Sequence, residues 1–208
     1  MTIYISAGHH STFKGARHLD FWEHDEALLW RDELVSLLGE KGKAVAAPPA
    51  DVVAITEEEL KDPEARARVE TAARMYKLNQ INKAEDARLA VEVHFNSLDT
   101  TQTLPAERGC LTYYYPGSQS GRRMAQQVQE VLRKFFLPDL GAYDGYVQMN
   151  KSMGVIWFLA TTKCPALIIE PQFIDRKEDI QSKRHDCCVA LATVLMEIHD
   201  GLMGYHGL

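Results

Sequence analysis

Residues 3–9 read IYISAGH, a short apolar run that ends in Gly8 and His9. Residues 91–97, VEVHFNS, repeat the arrangement, with His94 at the end of a second apolar run. A third run, residues 166–170, reads ALIIE and ends on Glu170. Parallel strands in an open α/β sheet end at one edge, where such folds hold their active sites. The sequence therefore predicts two imidazoles and a carboxylate at one edge of one sheet.

Strands and helices alternate along the chain. Helices are expected over residues 23–41, 57–84, 118–136 and 177–203. The first has apolar residues at spacings of three and four. The second has a charged, helical composition, with a break or a fresh first turn at Pro63. Strands are expected over residues 2–6, 43–47, 88–93, 110–115, 155–159 and 166–169. This alternation predicts a single α/β domain over residues 1–208, with a twisted, mostly parallel sheet of about six strands and helices on both faces.

Composition excludes several classes of function. The formal net charge of −6 argues against binding of nucleic acid or of an anionic membrane surface. No apolar run reaches the roughly 18–20 residues that a membrane span needs. The first strand begins without the charged and apolar stretches of a secretion signal, so we expect synthesis in the cytoplasm. The four cysteines have no regular spacing and are expected to be reduced thiols, at Cys110, Cys164, Cys187 and Cys188.

The two strand-end histidines indicate a metal site. Zinc binds neutral imidazole and carboxylate, and catalytic zinc sites use three protein ligands and leave a fourth position to water. His9 and His94 therefore need one more ligand. The candidates open the first long helix, at Glu23, Asp25 and Glu26. Glu23 is preferred because it lies where the chain returns from the loop at residues 11–22, and Glu26, one helical turn further on, remains the alternative.

Glu170 differs from these carboxylates because it ends a strand that should be central. A carboxylate in that position is costly to bury unless it is paired or used. Zinc lowers the pKa of its water to roughly 7, and a neighbouring carboxylate can accept the proton. The residues thus favour a mononuclear zinc hydrolase, with a solvent-facing strand-end glutamate as the alternative interpretation of Glu170.

Several stretches together carry a resemblance to a known family. Residues 5–9, the helix from Glu23, and residues 81–84, 91–96, 108–115 and 165–179 resemble the zinc-dependent N-acetylmuramoyl-L-alanine amidases of the third amidase family, in the family's order. The resemblance spans residue 3 to about residue 180. It implies that His9, Glu23 and His94 bind Zn²⁺ and that Glu170 is the catalytic base. It also favours Glu23 over Glu26, because the run from Glu23 to Gly42 fits the family helix without a gap.

The chain departs from the family pattern in three places. His10 stands where the family usually has glycine, so His10 remains an alternative to His9 as ligand. Pro171 and Gln172 stand where the family has a small residue and a glycine after the catalytic glutamate. Residues 48–74 fit poorly and are interpreted as an elaboration near the cleft. His18 and His24, which flank the expected cleft, are interpreted as ordinary loop and helix-surface residues.

The resemblance implies hydrolysis of the amide bond between N-acetylmuramic acid and L-alanine, with bacterial peptidoglycan as the partner. The lack of a signal and of a wall-binding module favours a phage or prophage endolysin that acts on the wall after release from the cytoplasm. Two alternatives remain open. One is a zinc peptidase or deacylase acting on another small peptide, and the other is a non-catalytic peptidoglycan-binding module. The oligomeric state stays undetermined.

Overall fold

A computed structural model describes residues 2–9, 11, 13–39, 44–46, 61–97, 108–149 and 152–204. Its strands are β1 (Thr2–Ala7), β2 (Arg17–His18), β3 (Phe21–Trp22), β4 (Ala44–Ala46), β5 (Ala87–Val93), β6 (Cys110–Tyr114), β7 (Asp139–Asp144), β8 (Tyr146–Met149), β9 (Ser152–Val155) and β10 (Ala166–Glu170). Its helices are α1 (Glu23–Gly39), α2 (Pro63–Lys83), α3 (Gln119–Phe135), α4 (Trp157–Thr161) and α5 (Lys177–Gly204).

Six of these strands form one sheet in the order β4-β1-β5-β10-β6-β7. All neighbouring pairs in this sheet are parallel except β10 and β6, which run antiparallel. Two small antiparallel pairs, β2 with β3 and β8 with β9, lie outside it. The predicted α/β class and the mostly parallel sheet are confirmed.

Helices cover both faces of the sheet. Helices α1, α3 and α5 pack on one face, where Leu89, Val91 and Val93 of β5 are buried with them. The other face buries Ala90 of β5 with α2 and α4. Successive strand residues point to opposite faces, so a strand covered on both sides is almost continuously apolar. Strand β5 follows this rule over its buried residues 89–93 with one exception, Glu92, which is also buried.

The strand predicted at residues 155–159 is wrong. Strand β9 ends at Val155, and residues Trp157–Thr161 form helix α4 instead. This short run is apolar because the helix buries Phe158 and Leu159 against the sheet, not because it lies within the sheet. Periodicity alone does not distinguish a buried helical turn from a buried strand over so few residues.

The sixth strand of the sheet is β7, which the sequence analysis missed. It pairs in parallel with β6 at one edge of the sheet. Only one of its residues, Leu140, is buried. An edge strand with so little buried surface carries no apolar signal in its sequence.

The predicted helix boundaries hold within a few residues across the described part of the chain. At the start of α2, Pro63 occupies the first turn and the side chain of Asp62 accepts a hydrogen bond from the Glu64 amide, which confirms a fresh helix start at that proline. None of the described helices is long and apolar enough to cross a membrane. All four cysteines are free thiols, as expected.

Candidate metal centre

The parallel strands β1, β5 and β10 bring three predicted site residues to one edge of the sheet. His9 follows β1, His94 follows β5 and Glu170 closes β10. Backbone hydrogen bonds continue past the strand ends: the Gly8 amide donates to Val93 O at 2.8 Å, and the His94 amide donates to Ile169 O at 2.9 Å. These bonds keep the strand ends aligned, so the side chains that follow are held in fixed positions.

His9, Glu23 and His94 form a compact cluster of metal-ligating groups. One potential ligand atom from each residue lies within 4.8 Å of the other two. Glu23 Oε2 is 3.1 Å from His9 Nε2, and Glu23 Oε1 is 2.9 Å from His94 Nδ1. The two imidazole rings meet edge to face with their centroids 5.0 Å apart. Two imidazoles and a carboxylate at these separations fit the donor set of a catalytic zinc site.

Glu23 is held in place by the backbone around it. The residue opens α1 and is buried. Its Oε2 atom accepts a hydrogen bond from the Ala16 amide at 2.9 Å, and its Oε1 atom accepts one from the Phe95 amide at 3.1 Å. Burial by itself would raise the pKa of Glu23, but the imidazoles of His9 and His94 outweigh burial and hold the pKa well below its usual range.

Two glycines allow the chain to pass close to this cluster. A Cβ atom at Gly8 would overlap the His94 ring, and one at Gly15 would overlap Glu23 Oε2 and the His9 ring. Gly15 also has a φ of 73°, in the left-handed region that favours glycine. His9 itself has a φ of 58°, which is uncommon for a residue with a side chain. Backbone strain of this kind clusters at functional sites.

Glu26, the alternative third ligand, turns away from the histidines. Its carboxylate accepts hydrogen bonds from Trp30 Nε1 at 3.1 Å and from an Arg184 guanidinium nitrogen at 3.0 Å. The side chain is therefore engaged between α1 and α5. Asp25 pairs with Lys14 at 2.7 Å. His10, the alternative to His9, lies outside the described residues.

Glu170 lies at the same edge with an unusual environment. The residue is half-buried, and within the described part of the protein its buried Oε2 atom has no hydrogen-bond partner. Burial raises its pKa to about 7; the charge of His94 opposes this rise and that of Glu23 adds to it. A carboxyl group whose pKa lies near neutrality exchanges a proton readily at physiological pH.

His24 is not the helix-surface residue that the sequence analysis expected. It is only 2% exposed, and its Nδ1 atom lies 2.8 Å from the carbonyl oxygen of Gly8. The first turn of α1 packs over the end of β1, and this contact holds the turn that leads into His9. His18 is exposed, as expected.

Two buried charged residues near His94, Glu92 and Lys77, were not predicted from the sequence. Glu92 Oε2 lies 3.2 Å from His94 Nε2, and the ammonium group of Lys77 pairs with Glu92 Oε1. Burial by itself would lower the pKa of His94, but hydrogen bonds to Glu23 and Glu92 outweigh it and raise that pKa to about 10. One signal was available in the sequence: Glu92 is the charged residue in the otherwise apolar run at residues 89–93.

Comparison with known proteins points to a single family. The model of a family described as N-acetylmuramoyl-L-alanine amidase matches residues 3–187. No curated protein sequence matches the chain. Among solved structures, the chain is similar to the CwlD amidase of Clostridioides difficile, which was solved in complex with the GerS lipoprotein. The two share 18% identity, with a TM-score of 0.72 over 95% of this chain and 97% of that one.

Two further amidase structures have the same fold. One is the catalytic domain of CwlV from Bacillus (Paenibacillus) polymyxa var. colistinus, at 16% identity and a TM-score of 0.63 over 99% of this chain and 98% of that one. The other is an N-acetylmuramoyl-L-alanine amidase from Clostridium difficile 630, at 19% identity and a TM-score of 0.64 over 98% of this chain and 95% of that one. At these identities the likeness establishes the fold.

Proposed function

Because this chain belongs to the N-acetylmuramoyl-L-alanine amidase family, we propose that it is a zinc-dependent hydrolase of bacterial peptidoglycan. Its reaction is cleavage of the amide bond between the lactyl group of N-acetylmuramic acid and L-alanine. The observation that supports this proposal most strongly is the cluster of His9, Glu23 and His94 at the sheet edge that also carries Glu170.

His9, Glu23 and His94 would hold the metal. Three protein ligands leave a further coordination position, which is the pattern of catalytic rather than structural zinc sites. When bound, zinc supplies a Lewis acid for the scissile carbonyl group and lowers the pKa of water. The backbone donors at Ala16 and Phe95 keep the Glu23 carboxylate oriented toward the two imidazoles.

Glu170 carries the proton transfers in this proposal. Its carboxylate accepts a proton from the attacking water, whose oxygen forms the new bond to the carbonyl carbon. The same carboxyl group then donates that proton to the nitrogen of L-alanine as the C–N bond breaks. The products are the lactyl carboxylic acid and a free alanine amine. A pKa near 7 suits both steps, because the group has to accept and release a proton at the same pH.

Product analysis on purified peptidoglycan tests the proposal. The zinc-loaded protein should release new N-terminal alanine without new reducing sugar. Glu170→Gln, measured at equal zinc content, should release little. New amino termini other than alanine would instead indicate a zinc peptidase or deacylase. Binding to the wall with no new termini at all would indicate a non-catalytic module.

A further inference from the structure

A buried charge pair lies directly behind His94. Glu92 precedes His94 by two positions at the end of β5, so both side chains project from the same face of the sheet. Glu92 is 6% exposed and Lys77, from helix α2, is 5% exposed. Neither residue belongs to the cluster formed by His9, Glu23 and His94. Glu92 nevertheless contacts the His94 ring directly.

The carboxylate of Glu92 is surrounded by hydrogen-bond donors. Its Oε1 atom accepts a hydrogen bond from Ser6 Oγ at 3.4 Å and pairs with the ammonium group of Lys77. Its Oε2 atom lies 3.2 Å from His94 Nε2. A carboxylate this deeply buried is tolerated only when its oxygens are paired and hydrogen-bonded, and here both oxygens are.

Lys77 connects this carboxylate to the other histidine strand. Besides pairing with Glu92, its Nζ atom donates a hydrogen bond to the carbonyl oxygen of Ala7 at 3.0 Å. Ala7 closes β1, two positions before His9. One side chain of α2 therefore reaches the ends of both strands that carry the histidines.

The position of Glu92 bears on which nitrogen of His94 is available to a metal. A neutral imidazole has one N–H group and one nitrogen with a free lone pair. When Glu92 accepts the hydrogen bond from Nε2–H, the lone pair is at Nδ1. That atom lies 2.9 Å from Glu23 Oε1, on the side where the candidate ligands meet. An apolar residue at position 92 would leave the two tautomers of His94 without this preference.

We propose that Glu92 and Lys77 are positioning residues of the metal centre: Glu92 fixes His94 as the Nε2–H tautomer, and Lys77 holds Glu92 in place while anchoring the end of β1. This inference rests on the zinc site of the proposed function. Hydrogen-bonding partners of metal-ligating histidines typically contribute 10–100-fold to metal affinity. If the pair only stabilised the fold, its replacement would leave zinc affinity unchanged. Apolar residues of similar size often replace a buried ion pair without loss of stability, so such a replacement can be tested in a folded protein.

Two double variants separate the hydrogen bond from the charges. Lys77→Met with Glu92→Leu removes both charges and the acceptor on His94. Lys77→Met with Glu92→Gln also removes both charges, but it keeps an oxygen that can accept the Nε2–H bond. We expect the Leu variant to bind zinc about 10–100-fold more weakly than wild type in competition with a chelator. The Gln variant should recover most of that loss.

A matched control removes an ion pair elsewhere, between the buried Glu26 and the half-buried Arg184. Glu26→Gln with Arg184→Met disrupts the pair between α1 and α5, on the opposite face of the sheet. It should leave zinc affinity unchanged, whether or not the midpoint of thermal unfolding shifts. ¹⁵N NMR of the zinc-loaded proteins gives a second measurement, in which His94 should show a protonated Nε2 in wild type and in the Gln variant.

Wild-type zinc affinity in a folded Leu double variant would overturn the inference, and so would equal losses in the Leu and Gln double variants. If the Leu variant does not fold without metal, ¹⁵N NMR of the zinc-loaded wild type decides, and a His94 that is protonated at Nδ1 instead of Nε2 would overturn the inference. A wild-type protein that binds no zinc overturns both proposals, whereas one that binds zinc but cleaves no peptidoglycan overturns only the proposed function.

Discussion

Glu23 Oε1 lies 2.9 Å from His94 Nδ1, although the two residues are separated by 71 positions in the chain. The same oxygen accepts a hydrogen bond from the amide of Phe95. One carboxylate therefore joins the start of α1 to the end of β5, and the same carboxylate also contacts His9. This contact brings the candidate ligands together.

The purified protein should carry about one zinc ion per chain, because three protein ligands form one open catalytic site. His94→Ala should abolish this binding, since it removes one imidazole and also the group that faces both Glu23 and Glu92. Elemental analysis after dialysis against zinc measures the content. Full zinc occupancy in His94→Ala would show that the ligand set is wrong.

Glu23 and Glu26 provide a matched test, because both are buried glutamates in the first turn of α1. Glu23→Gln should weaken zinc binding strongly, while Glu26→Gln should keep it, because Glu26 contacts Trp30 and Arg184 instead. Calorimetric titration of both metal-free proteins with zinc makes the comparison. The reverse order of affinities would assign the third ligand to Glu26.

Glu170→Gln should separate metal binding from chemistry. The amide keeps the shape of the side chain but cannot accept a proton, so turnover on peptidoglycan should fall by roughly 10²–10⁴. Zinc content and the midpoint of thermal unfolding should stay near the wild-type values. Retention of more than about a tenth of wild-type turnover, well outside that range, would exclude Glu170 as the base.

The pH dependence of kcat/KM should show an acid limb caused by Glu170. Only the unprotonated carboxylate accepts a proton, so activity should be lost as the pH falls through the pKa of this group and retained above it. Burial raises that pKa to about 7. A bound cation lowers it, so the midpoint should lie at or below about pH 7.

Zinc content has to be measured at each pH, because protonation of the histidines also releases metal. At constant zinc content, the residual activity of Glu170→Gln should lack this acid limb. An unchanged limb in the Gln variant would assign the titration to another group.

Gly8→Ala should impair zinc binding although it adds only one methyl group. The added Cβ atom would overlap the His94 ring, so the ring has to move away from Glu23. Gly201→Ala is the matched control, because it lies in helix α5 with no atom within 4 Å of an added Cβ. The control should keep zinc affinity and gain about 0.5–1 kcal/mol in the free energy of unfolding. Equal zinc affinity in both variants would contradict the close packing of Gly8 on His94.

Much of the fold and of the candidate site could be predicted from local patterns. Apolar runs that end in His9, His94 and Glu170 indicated strands, and the alternation of strands with helices indicated a largely parallel sheet whose strand ends meet. The sequence pattern favoured Glu23 over Glu26 only through its position directly after the loop at residues 11–22, because both lie in the first turn of one helix. Family resemblance favoured Glu23, and the direction in which each side chain leaves α1 separates them in the structure.

The parts that escaped prediction depend on contacts between distant segments. Strand β7 has too little buried surface to leave an apolar signal, and the apolar run at α4 packs on the sheet instead of joining it. His24 was expected at the surface, but its burial follows from how the first turn of α1 packs over β1. The pairing of Lys77 with Glu92 depends on where α2 crosses the sheet.

Local sequence was sufficient for most of the element types, though not for α4 or β7, and for the residues at the ends of β1, β5 and β10. Burial on two faces imposes an apolar pattern on a strand, and a single polar residue at its end stands out. Tertiary structure alone decided which polar groups meet behind those ends. Glu92 and Lys77 are 15 positions apart, on a strand and a helix, and the ammonium group of Lys77 also reaches Ala7, 70 positions away. A buried carboxylate is costly unless hydrogen-bond donors surround it. Here those donors come from distant segments of the chain, so only the packed structure brings them to Glu92.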